Sequence, residues 1–388
     1  MNKKVIYLRS TSIINDSRAS KEINSLISNS YKVLVLGWDR DKKIKDYKNI
    51  KINNNTINGY FFKFNAGYGE SIKNIIGLVL FQIWLLLYLI KNNRKYEIIH
   101  ACDLDCGFVG FLISKILNKK LVYDIYDYYT DSRPMSKTIE KIVNKFENKV
   151  INSADANIIC GDWRYEQIKG TFPKKVIIIH NTPDIRNVES KKIMKSNSNK
   201  IKIGYVGILQ DYRLLKEIIN EIKENNDYEL HIGGFGKYED FIKDSSYKYD
   251  NIFYYSSLPY NDVLCLEQEC DILFATYDPK IKNHKYSAPN KIYEAMALGK
   301  PIIVCENTGI DKLVTENEIG LVIKYNAKDF IKELDLLTKN KRKINMMGKK
   351  AKKLYETKYN WISMEKELIT MYSNLGGNND NDFNTNIQ

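Results

Sequence analysis

Short apolar segments alternate with amphipathic segments along most of this chain, and this alternation constrains its fold more than any other feature. The segments KVIYL, KVLVLG, YEIIHAC, KLVYDIY, ANIIC and KVIIIHN each hold a few apolar residues between polar or turn residues. Stretches with helical spacing separate them, beginning with the stretch from Arg18 to Ser28. Buried parallel strands joined by helical crossovers have this pattern. The first half of the chain is therefore predicted to form a doubly wound parallel sheet.

Domain boundaries follow from where this pattern stops and resumes. The polar segment 186–200 has few aromatic residues, and we interpret it as a linker. Strand-like segments such as KIGYVG, YELHIGG, DILFATY and PIIVCE alternate with helical segments after it. We therefore predict an α/β protein with two Rossmann-like doubly wound domains, at 1–185 and 201–356. A helix at 357–375 closes the ordered chain, and the polar tail 376–388 is predicted to be disordered.

Charge and cysteine content exclude several classes of protein. The formal net charge of +13 suits an anionic partner, but the basic residues are dispersed and no nucleic-acid module is recognised, so no nucleic-acid partner is predicted. The six cysteines form no CxxC pair, which indicates reduced, buried thiols and no metal site. Two lysines run straight into the strand-like VIYLRS, so we expect no secretory signal and a cytoplasmic location.

One apolar segment bears on whether the protein contacts a membrane. Residues 74–90 carry no charge and are flanked by Lys73, Lys91, Arg94 and Lys95. The segment is slightly shorter than the roughly 20 residues that a spanning helix needs. We expect a buried helix packed against a sheet, with a monotopic membrane contact as the alternative and a membrane span as the third interpretation.

The stretch SAPNKIYEAMALGKPII carries the most specific site signal in the chain. Pro289 in the first turn and Gly299 past the last turn specify a helix between them. The free N–H groups at the start of such a helix bind phosphate or another anion. Glu294, one turn further in, is placed to reach a pair of neutral hydroxyls such as those of a ribose. The alternative is a solvent-facing glutamate on a surface helix.

Two further loops of the second domain carry candidate residues. In GYVGILQDYR the strand ends at Gly207, and Arg213 is placed to neutralise phosphate charge unless it is a solvated helix-start arginine. The GGxG of IGGFGKYED indicates a close approach of the backbone. No G-x-G-x-x-G opens the chain and no Walker loop is present, which argues against a dehydrogenase.

The first domain places polar side chains at the ends of two predicted strands. Asp103 follows one strand, and Tyr126 and Asp127 follow the next. With the loop 9–22 they are expected to meet at one sheet edge, where carboxylates and hydroxyls suit the binding of sugar hydroxyls and proton transfer. Helix capping and turn formation explain such aspartates equally well.

Together these segments resemble the retaining glycosyltransferases of family 4, which have the GT-B fold of two Rossmann-like domains facing a cleft. The resemblance rests on NDSRASKEINSL, YEIIHACDLD, KLVYDIYD, IGYVG, APNKIYEAMALGKPIIV and YNWISMEKELITMYSNL, and it covers nearly the whole chain. It implies a C-terminal helix that crosses back to the N-terminal domain. It also implies transfer of a sugar to a glycan or polyprenyl-linked acceptor in the synthesis of a cell-surface polysaccharide, at the inner face of the plasma membrane.

The resemblance assigns roles to particular residues. The donor is expected to be a UDP- or GDP-sugar, with its diphosphate at the start of the predicted helix, its ribose on Glu294 and no metal or other cofactor. The residues assigned to the donor site are Gly207, Arg213, Lys285, Tyr286, Ser287, Pro289, Asn290, Lys291 and Glu294. Those assigned to the acceptor site are Asp16, Arg18 and Tyr126. The residues assigned to catalysis are Asp103, Asp127 and Arg213.

The chain departs from the family's pattern at three positions. Tyr286 stands where many members have an acidic residue, Ile208 where many have an arginine, and Tyr126 where many have a histidine. These departures suit either a subgroup with a different donor sugar or a protein that has lost catalysis. Two alternatives to a transferase therefore stay open, a sugar-nucleotide epimerase of the same fold and a catalytically inactive scaffold protein.

Overall fold

A computed structural model describes residues 3–13, 16–40, 42, 44, 50–52, 55–66, 71–186, 188–196 and 198–375, and the predicted tail 376–388 lies outside them. The chain divides into two units. The first comprises Met1–Ile179 and Met364–Gln388, and the second comprises His180–Ser363. Each unit contains one sheet of mainly parallel strands with helices between them, which confirms the predicted α/β fold class.

The first unit is built on an eight-stranded sheet. Its strands are β1 (Lys4–Leu8), β2 (Lys32–Asp39), β3 (Ile50–Ile52), β4 (Asn55–Lys63), β5 (Ile98–Cys102), β6 (Lys120–Asp124), β7 (Ala156–Ile159) and β8 (Val176–Ile178). Their order is β3-β4-β2-β1-β5-β6-β7-β8, and only β3 and β4 pair antiparallel within the described residues. The chain moves outward from β1 and then returns to place β5 beside it. The carboxyl ends of β1 and β5 therefore border the crevice at which sheets of this kind bind ligands.

Helices cover both faces of this sheet. They are α1 (Ser17–Ser28), α2 (Ser71–Lys91), α3 (Asp103–Ile116), α4 (Tyr129–Ser132) and α5 (Lys137–Ser153). Asp16 caps α1, because its side chain accepts a hydrogen bond from the N–H of Ala19 at 3.1 Å. On the opposite face α3 packs against both α2 and α5, so these three helices form one layer. Between this layer and the sheet the indole ring of Trp38 stacks on Phe81, with ring centroids 5.4 Å apart.

The apolar helix α2 packs against the sheet with one face only, which corrects the prediction of a buried helix. Phe81, Leu85 and Leu89 are fully buried, whereas Ile75 and Leu87 are 63% and 62% exposed. The residues of α2 are apolar on all sides, but the sheet covers only one of them. By length and composition the segment Asn74–Lys91 is also apolar enough to span a membrane, with a mean hydropathy of 1.9.

The second unit is built on six parallel strands in the order β11-β10-β9-β12-β13-β14, with the following bounds. The strands are β9 (Ile201–Ile208), β10 (Tyr228–Phe235), β11 (Ile252–Tyr254), β12 (Ile272–Ala275), β13 (Ile302–Cys305) and β14 (Gly320–Ile323). The helices are α6 (Leu215–Ile222), α7 (Glu239–Lys248), α8 (Tyr260–Glu269), α9 (Asn290–Leu298), α10 (Ile310–Asn317), α11 (Ala327–Thr338) and α12 (Lys341–Thr357). Ile203, Leu230 and Phe274 are buried in the core of this unit.

The described residues of 186–200, the predicted linker, hydrogen-bond within the second unit. The N–H groups of Ile193 and Met194 donate to the carboxylate of Glu269 at 2.7 and 2.9 Å. The Ser198 hydroxyl donates to Glu229 at 2.7 Å. This segment is therefore attached to α8 and β10 of the second unit.

The last helix, α13 (Trp361–Leu375), belongs to the first unit from Met364 onward. There the hydroxyl of Tyr372 lies 2.7 Å from Nδ1 of His100, a buried residue of β5. Burial lowers the pKa of His100, so its ring is neutral. One hydrogen bond joins Nδ1 of this ring to the Tyr372 hydroxyl. The pair attaches α13 to the centre of the first sheet.

Glycines allow β9 and β10 to approach each other closely at their carboxyl ends. Gly207 of β9 pairs in register with Gly234 of β10. A Cβ atom on Gly234 would lie 1.8 Å from the carbonyl oxygen of Gly207, and the φ of +130° at Gly234 disfavours any L side chain. On the neighbouring Gly233 a Cβ would meet the Val206 side chain at 3.1 Å.

We expect Gly234→Ala to destabilise the protein by at least about 3 kcal/mol, because a backbone carbonyl cannot move aside as a side chain can. Gly233→Ala is the matched control and should cost less than about 1.5 kcal/mol. Urea unfolding followed by circular dichroism measures both. Equal losses in the two variants would show that the close backbone approach is not the cause.

Candidate functional site

The candidate site of the second unit lies at the carboxyl ends of β9 and β12. These strands are neighbours in the sheet, although the chain passes through β10 and β11 between them. Such a reversal of direction leaves a crevice at the strand ends, where α/β proteins bind ligands. The loop after β9 leads to Arg213, and the loop after β12 leads to α9.

The backbone around Arg213 is unusual. Tyr212 and Leu214, on either side of it, have φ values of 64° and 56°. Non-glycine residues seldom adopt this left-handed conformation, and such residues cluster at functional sites. Helix α6 begins at Leu215, so Arg213 lies in the loop before it and is not the helix-start arginine of the alternative interpretation.

Aromatic side chains hold the guanidinium group of Arg213. It lies 4.0 Å from the ring centroid of Tyr277, and its Nη1 donates to Nε2 of His284 at 2.9 Å. Nδ1 of His284 lies 2.9 Å from the carbonyl oxygen of Asp278, so a neutral ring with hydrogen on Nδ1 satisfies both contacts. Neither contact neutralises the arginine charge.

Lys291, in the first turn of α9, brings a second positive charge close to Arg213. Its side chain is 9% exposed, and its Nζ lies 4.4 Å from the ring centroid of Tyr205. The Tyr205 hydroxyl donates to the carbonyl oxygen of Ile208 at 2.9 Å. The charges of both Lys291 and Arg213 act to lower the pKa of this hydroxyl, against the larger effect of burial. A Cβ atom on Gly207 would lie 2.4 Å from Nζ of Lys291. Glycine at this position therefore makes room for the ammonium group.

Two buried carboxyl groups accompany these cations. Glu294 of α9 is 3% exposed, and its Oε1 accepts a hydrogen bond of 2.9 Å from the Tyr260 hydroxyl. Glu267 of α8 is 1% exposed, and its Oε2 has no hydrogen-bond partner in the part of the chain that the structure describes. Burial and the nearby Glu294 raise the pKa of Glu267 well above its ordinary value, while Lys291 opposes this shift.

The charge on Lys291 survives its burial. Burial lowers the pKa of the Lys291 ammonium group, but the tyrosine hydroxyls and carboxyl groups around it outweigh this effect. The net shift of the pKa is upward, so the ammonium group stays charged at neutral pH. With Glu267 favouring its neutral acid form, the cluster carries excess positive charge.

Helix α9 begins and ends where the sequence predicts. Pro289 is the N-cap residue, and Gly299 ends the helix with a φ of 66°. Proline has no side-chain acceptor for the N–H groups of the first turn, so these groups suit an anion. The hydroxyl of Ser287 lies 3.0 Å from the carbonyl oxygen of His284 and 3.1 Å from that of Thr308, which fixes the preceding loop.

The structure brings together some of the predicted donor-site residues. Gly207, Arg213, Lys291 and Glu294 belong to the cluster just described. Lys285 is exposed on the short 3₁₀ turn Lys282–Tyr286, so Lys291 is the second cation next to Arg213. Tyr286 is half-buried on the same turn, and Asn290 is half-buried at the start of α9. Sequence reasoning missed the aromatic and acidic neighbours, which are Tyr205, Tyr260, Glu267, Tyr277 and His284.

In the first unit Arg9, directly after β1, joins three of the predicted residues. Its Nε donates to Asp16 at 3.0 Å, and its Nη1 donates to Asp103 at 2.5 Å. Its guanidinium group lies 3.8 Å from the ring centroid of Tyr126. Because β1 and β5 border the crevice of this sheet, the cluster occupies a ligand-binding position. Sequence reasoning missed Arg9, although its place at a strand end was a usable signal.

The two aspartates assigned to catalysis differ in their surroundings. Asp103 has a φ of 55°, and its Oδ1 accepts the N–H groups of Tyr126 and Asp127 at 3.0 and 3.1 Å. Burial raises the pKa of Asp103 to about 6, although Arg9 opposes this shift. The side chain of Asp127 is 48% exposed and lies 3.4 Å from Arg164. Asp127 is therefore the more accessible of the two carboxylates.

Arg18, assigned to the acceptor site, lies inside the first unit. Its Nη2 pairs with Asp124 at 2.8 Å, and its Nη1 donates to the carbonyl oxygen of Ile179 at 2.7 Å. Its guanidinium group also lies 4.9 Å from the ring centroid of Tyr126, which Arg9 contacts as well. Protein groups satisfy the charge of Arg18, and its role toward an acceptor stays a prediction.

Three buried side chains of the first unit have the chemistry of metal ligands. His100, Cys102 and Asp124 each place one ligand atom within 4.8 Å of the others. The guanidinium group of Arg18 already pairs with Asp124, and Nδ1 of His100 is engaged by Tyr372. A cation here would lie next to the arginine charge in a buried environment, so these residues do not fit a metal ion.

Comparison with known proteins agrees with this architecture. Residues 187–354 match the family model "Glycosyl transferases group 1". The uncharacterized glycosyltransferase MJ1069 of Methanocaldococcus jannaschii is 23% identical over 367 residues, which cover 86% of this chain and 88% of that relative. Together with the solved structures below, these matches support a glycosyltransferase with the GT-B fold.

Two solved structures show the likeness in fold. Sucrose-phosphate synthase from Thermosynechococcus elongatus has a TM-score of 0.75 at 15% identity, over 96% of this chain and 99% of that chain. HepE of Anabaena, in complex with UDP, has a TM-score of 0.70 at 14% identity, over 96% of this chain and 100% of that chain. Both agree with the predicted pair of Rossmann-like domains.

The buried acid Glu267 makes unfolding depend on pH. In the folded state Glu267 keeps its proton above pH 4.5, the ordinary pKa of a glutamate in an unfolded chain, so this group lowers stability as pH rises from there into the neutral range. We expect Glu267→Gln, which has the same shape and no charge, to flatten this part of the pH profile and to be more stable than wild type at about pH 8. Urea unfolding at several pH values measures the difference.

Glu316→Gln is the matched control, because Glu316 is exposed on α10. Its pH profile should follow that of the wild type. Parallel profiles for wild type and Glu267→Gln would show that Glu267 loses its proton in the folded and unfolded states alike.

Proposed function

We propose that this protein transfers a hexose from a nucleoside-diphosphate sugar to a glycan or polyprenyl-linked acceptor, with retention of anomeric configuration and without a metal ion. The supporting observation is the cluster at the start of α9, where Lys291 and Arg213 both lie near Tyr205 and Lys291 also lies near the buried carboxyl group of Glu294. Paired cations and an open helix start suit a diphosphate. A buried carboxylate beside them suits the two hydroxyls of a ribose.

Tyr260 prepares Glu294 for this role. Its hydroxyl donates to Oε1 of Glu294 at 2.9 Å and so fixes the direction of the carboxylate. A carboxylate has about four acceptor sites, so the Tyr260 hydrogen bond leaves capacity for hydroxyl donors. We propose that Glu294 accepts hydrogen bonds from both ribose hydroxyls. HepE, which has the same fold, binds UDP, so uridine nucleotides are the first donors to test.

In the proposed reaction the bond between the anomeric carbon and the diphosphate oxygen breaks. A bond forms between that carbon and an acceptor hydroxyl oxygen on the same face, and the hydroxyl proton passes to the leaving diphosphate. Arg213 and Lys291 stabilise the negative charge that develops on the diphosphate. No side chain acts as a nucleophile. On the first unit we assign the accessible Asp127, with Asp103 beside it, to the acceptor, and the product to synthesis of a cell-surface polysaccharide.

The departures from the family pattern fit an active enzyme with altered donor contacts. Ile208 is half-exposed at the end of β9, where many members have an arginine. Lys291 lies against the adjacent Gly207 and supplies a positive charge at nearly the same place. The change at 208 therefore does not leave the proposed phosphate site with a single cation.

We expect one nucleoside diphosphate, or its sugar conjugate, to raise the melting temperature of the wild type but not that of Glu294→Ala. A thermal-shift panel of UDP, GDP, ADP and CMP with their common sugar conjugates measures this effect. The exposed Glu316→Ala is the control and should respond as the wild type does. No response of the wild type to any nucleotide would remove the donor site and the proposed function with it.

A second prediction separates recognition of the diphosphate from recognition of the nucleoside. Arg213→Met and Lys291→Met should each lower the affinity for the selected nucleoside diphosphate by about 10- to 100-fold, because each removes a charged partner of the phosphates. Their affinity for the free nucleoside should change by less than about twofold. Lys349→Met is the control, since Lys349 is exposed on α12 and has no assigned role in the site, and isothermal titration calorimetry measures all three variants. Equal losses for nucleoside and diphosphate would contradict the proposed phosphate contacts.

Product analysis distinguishes the remaining functions. Incubation of the selected sugar nucleotide alone, followed by nuclear magnetic resonance, detects an epimer if the protein is a sugar-nucleotide epimerase. Release of the nucleoside diphosphate only when acceptor glycans are added identifies a transferase. Nucleotide binding without either reaction identifies an inactive scaffold.

A further inference from the structure

We infer that the outer surface of the layer formed by α2, α3 and α5 binds an anionic lipid bilayer. This helical layer lies in the first unit, and the inference does not depend on the proposed sugar transfer. The surface is distinct from the clusters around Arg9 and Lys291, because those lie at the carboxyl ends of strands.

Helix α2 presents a continuous apolar face on this surface. Its exposed side chains recur at steps of three and four residues, so they lie on one side of the helix. They are Ile75, Ile76, Val79, Leu80, Ile83, Leu87 and Ile90. Soluble monomers seldom expose a contiguous apolar patch of this length, and such patches mark interaction sites.

The opposite, buried face of α2 limits the orientation that the helix can take on a membrane. Phe81, Leu85 and Leu89 are fully buried in the core against the sheet. A helix that is attached to a sheet along one side cannot also be surrounded by lipid. With about 1.5 Å of rise per residue it lies along the bilayer surface for roughly 30 Å and does not cross it.

Helix α5 adds positive charge and further apolar side chains. Four exposed lysines follow each other at intervals of four residues and so form a row along the helix: Lys137, Lys141, Lys145 and Lys149. Three large apolar side chains beside this row are about half exposed: Ile139, Ile142 and Phe146. A lysine row next to an apolar stripe is typical of helices that lie on anionic membranes.

Helix α3 lies between α2 and α5 in this layer. The Phe146 ring of α5 packs edge-on against Phe108 of α3, with centroids 5.9 Å apart, and α3 packs against α2. Ile116 at the end of α3 is also largely exposed. Further exposed cations lie at or after the ends of α2 and α3: Lys91, Arg94, Lys95 and Lys115.

Charge decides between a bilayer and a second copy of this chain. Within the described residues of α2, α3 and α5 every carboxylate is buried or half-buried, so the exposed charges on these helices are positive. A symmetric dimer through this surface would place the same positive patch on both sides of the interface, which is unfavourable. Anionic lipid headgroups offer the complementary charge, and the acyl region accepts the apolar face of α2.

Co-sedimentation of the full-length protein with vesicles tests the inference. We expect binding to phosphatidylglycerol vesicles at about 50 mM salt, weaker binding at about 500 mM salt, and little binding to phosphatidylcholine vesicles. Failure to bind phosphatidylglycerol vesicles at low salt would overturn it.

Variants show which surface is responsible. The triple variant Lys141→Glu/Lys145→Glu/Lys149→Glu should lose at least about tenfold in affinity for the phosphatidylglycerol vesicles. The control Lys341→Glu/Lys349→Glu/Lys353→Glu makes the same change in net charge on exposed positions of α12 and should keep most of its affinity. Equal losses would mean that net charge alone drives binding, and the inference would fail. Circular dichroism melting curves check that both variants fold.

The apolar face has its own test. Ile83→Ser/Leu87→Ser keeps every lysine and should still lose vesicle binding, because both side chains are exposed and belong to the face that enters the lipid. Light scattering after size-exclusion chromatography measures the oligomeric state of the wild type and of this variant. A wild-type dimer that this variant dissociates, with vesicle binding unchanged, would assign the face to a contact between copies of the chain instead.

Discussion

The buried ammonium group of Lys291 is the interaction on which the candidate site of the second unit depends. Removing a positive charge from water costs free energy unless neighbouring groups stabilise it, and Lys291 has the ring of Tyr205 and the carboxyl group of Glu294 for this purpose. Its Nζ also occupies the space that a Cβ atom on Gly207 would take. The charge of Lys291 thus involves residues of β9 and of its own helix.

The two units use the same topology for different chemistry. Each sheet reverses its direction between two neighbouring strands, β1 and β5 in one unit and β9 and β12 in the other, and polar residues gather there. In the first unit Arg9 is balanced by two carboxylates. In the cluster around Lys291 in the second unit, the positive charges outnumber the ionised carboxylates. A polar but balanced cluster suits a neutral sugar, whereas a positive one suits a phosphorylated ligand.

Local signals carried the predictions that proved correct. The bounds of α9 follow from Pro289 and Gly299 because both act through their own backbone conformation, and the strands follow from their apolar residues. The features that the sequence did not predict depend on contacts between distant segments of the chain. Tyr260 reaches Glu294 only when α8 packs beside α9, and Arg18 meets Asp124 across more than a hundred residues of chain. The sequence of α2 is apolar on every side, so it could not indicate which side the sheet would leave uncovered.

None of the six cysteines forms a disulfide, and all six are buried, as the sequence predicts. Burial also raises the pKa of thiols such as Cys102 and Cys106, so the reactive thiolate form is scarce in the folded state. The native chain therefore offers maleimide dyes almost no target, and a cysteine placed on its surface becomes the preferred site of labelling. One dye on each unit then reports the distance between the units in single molecules, with every native thiol left in place.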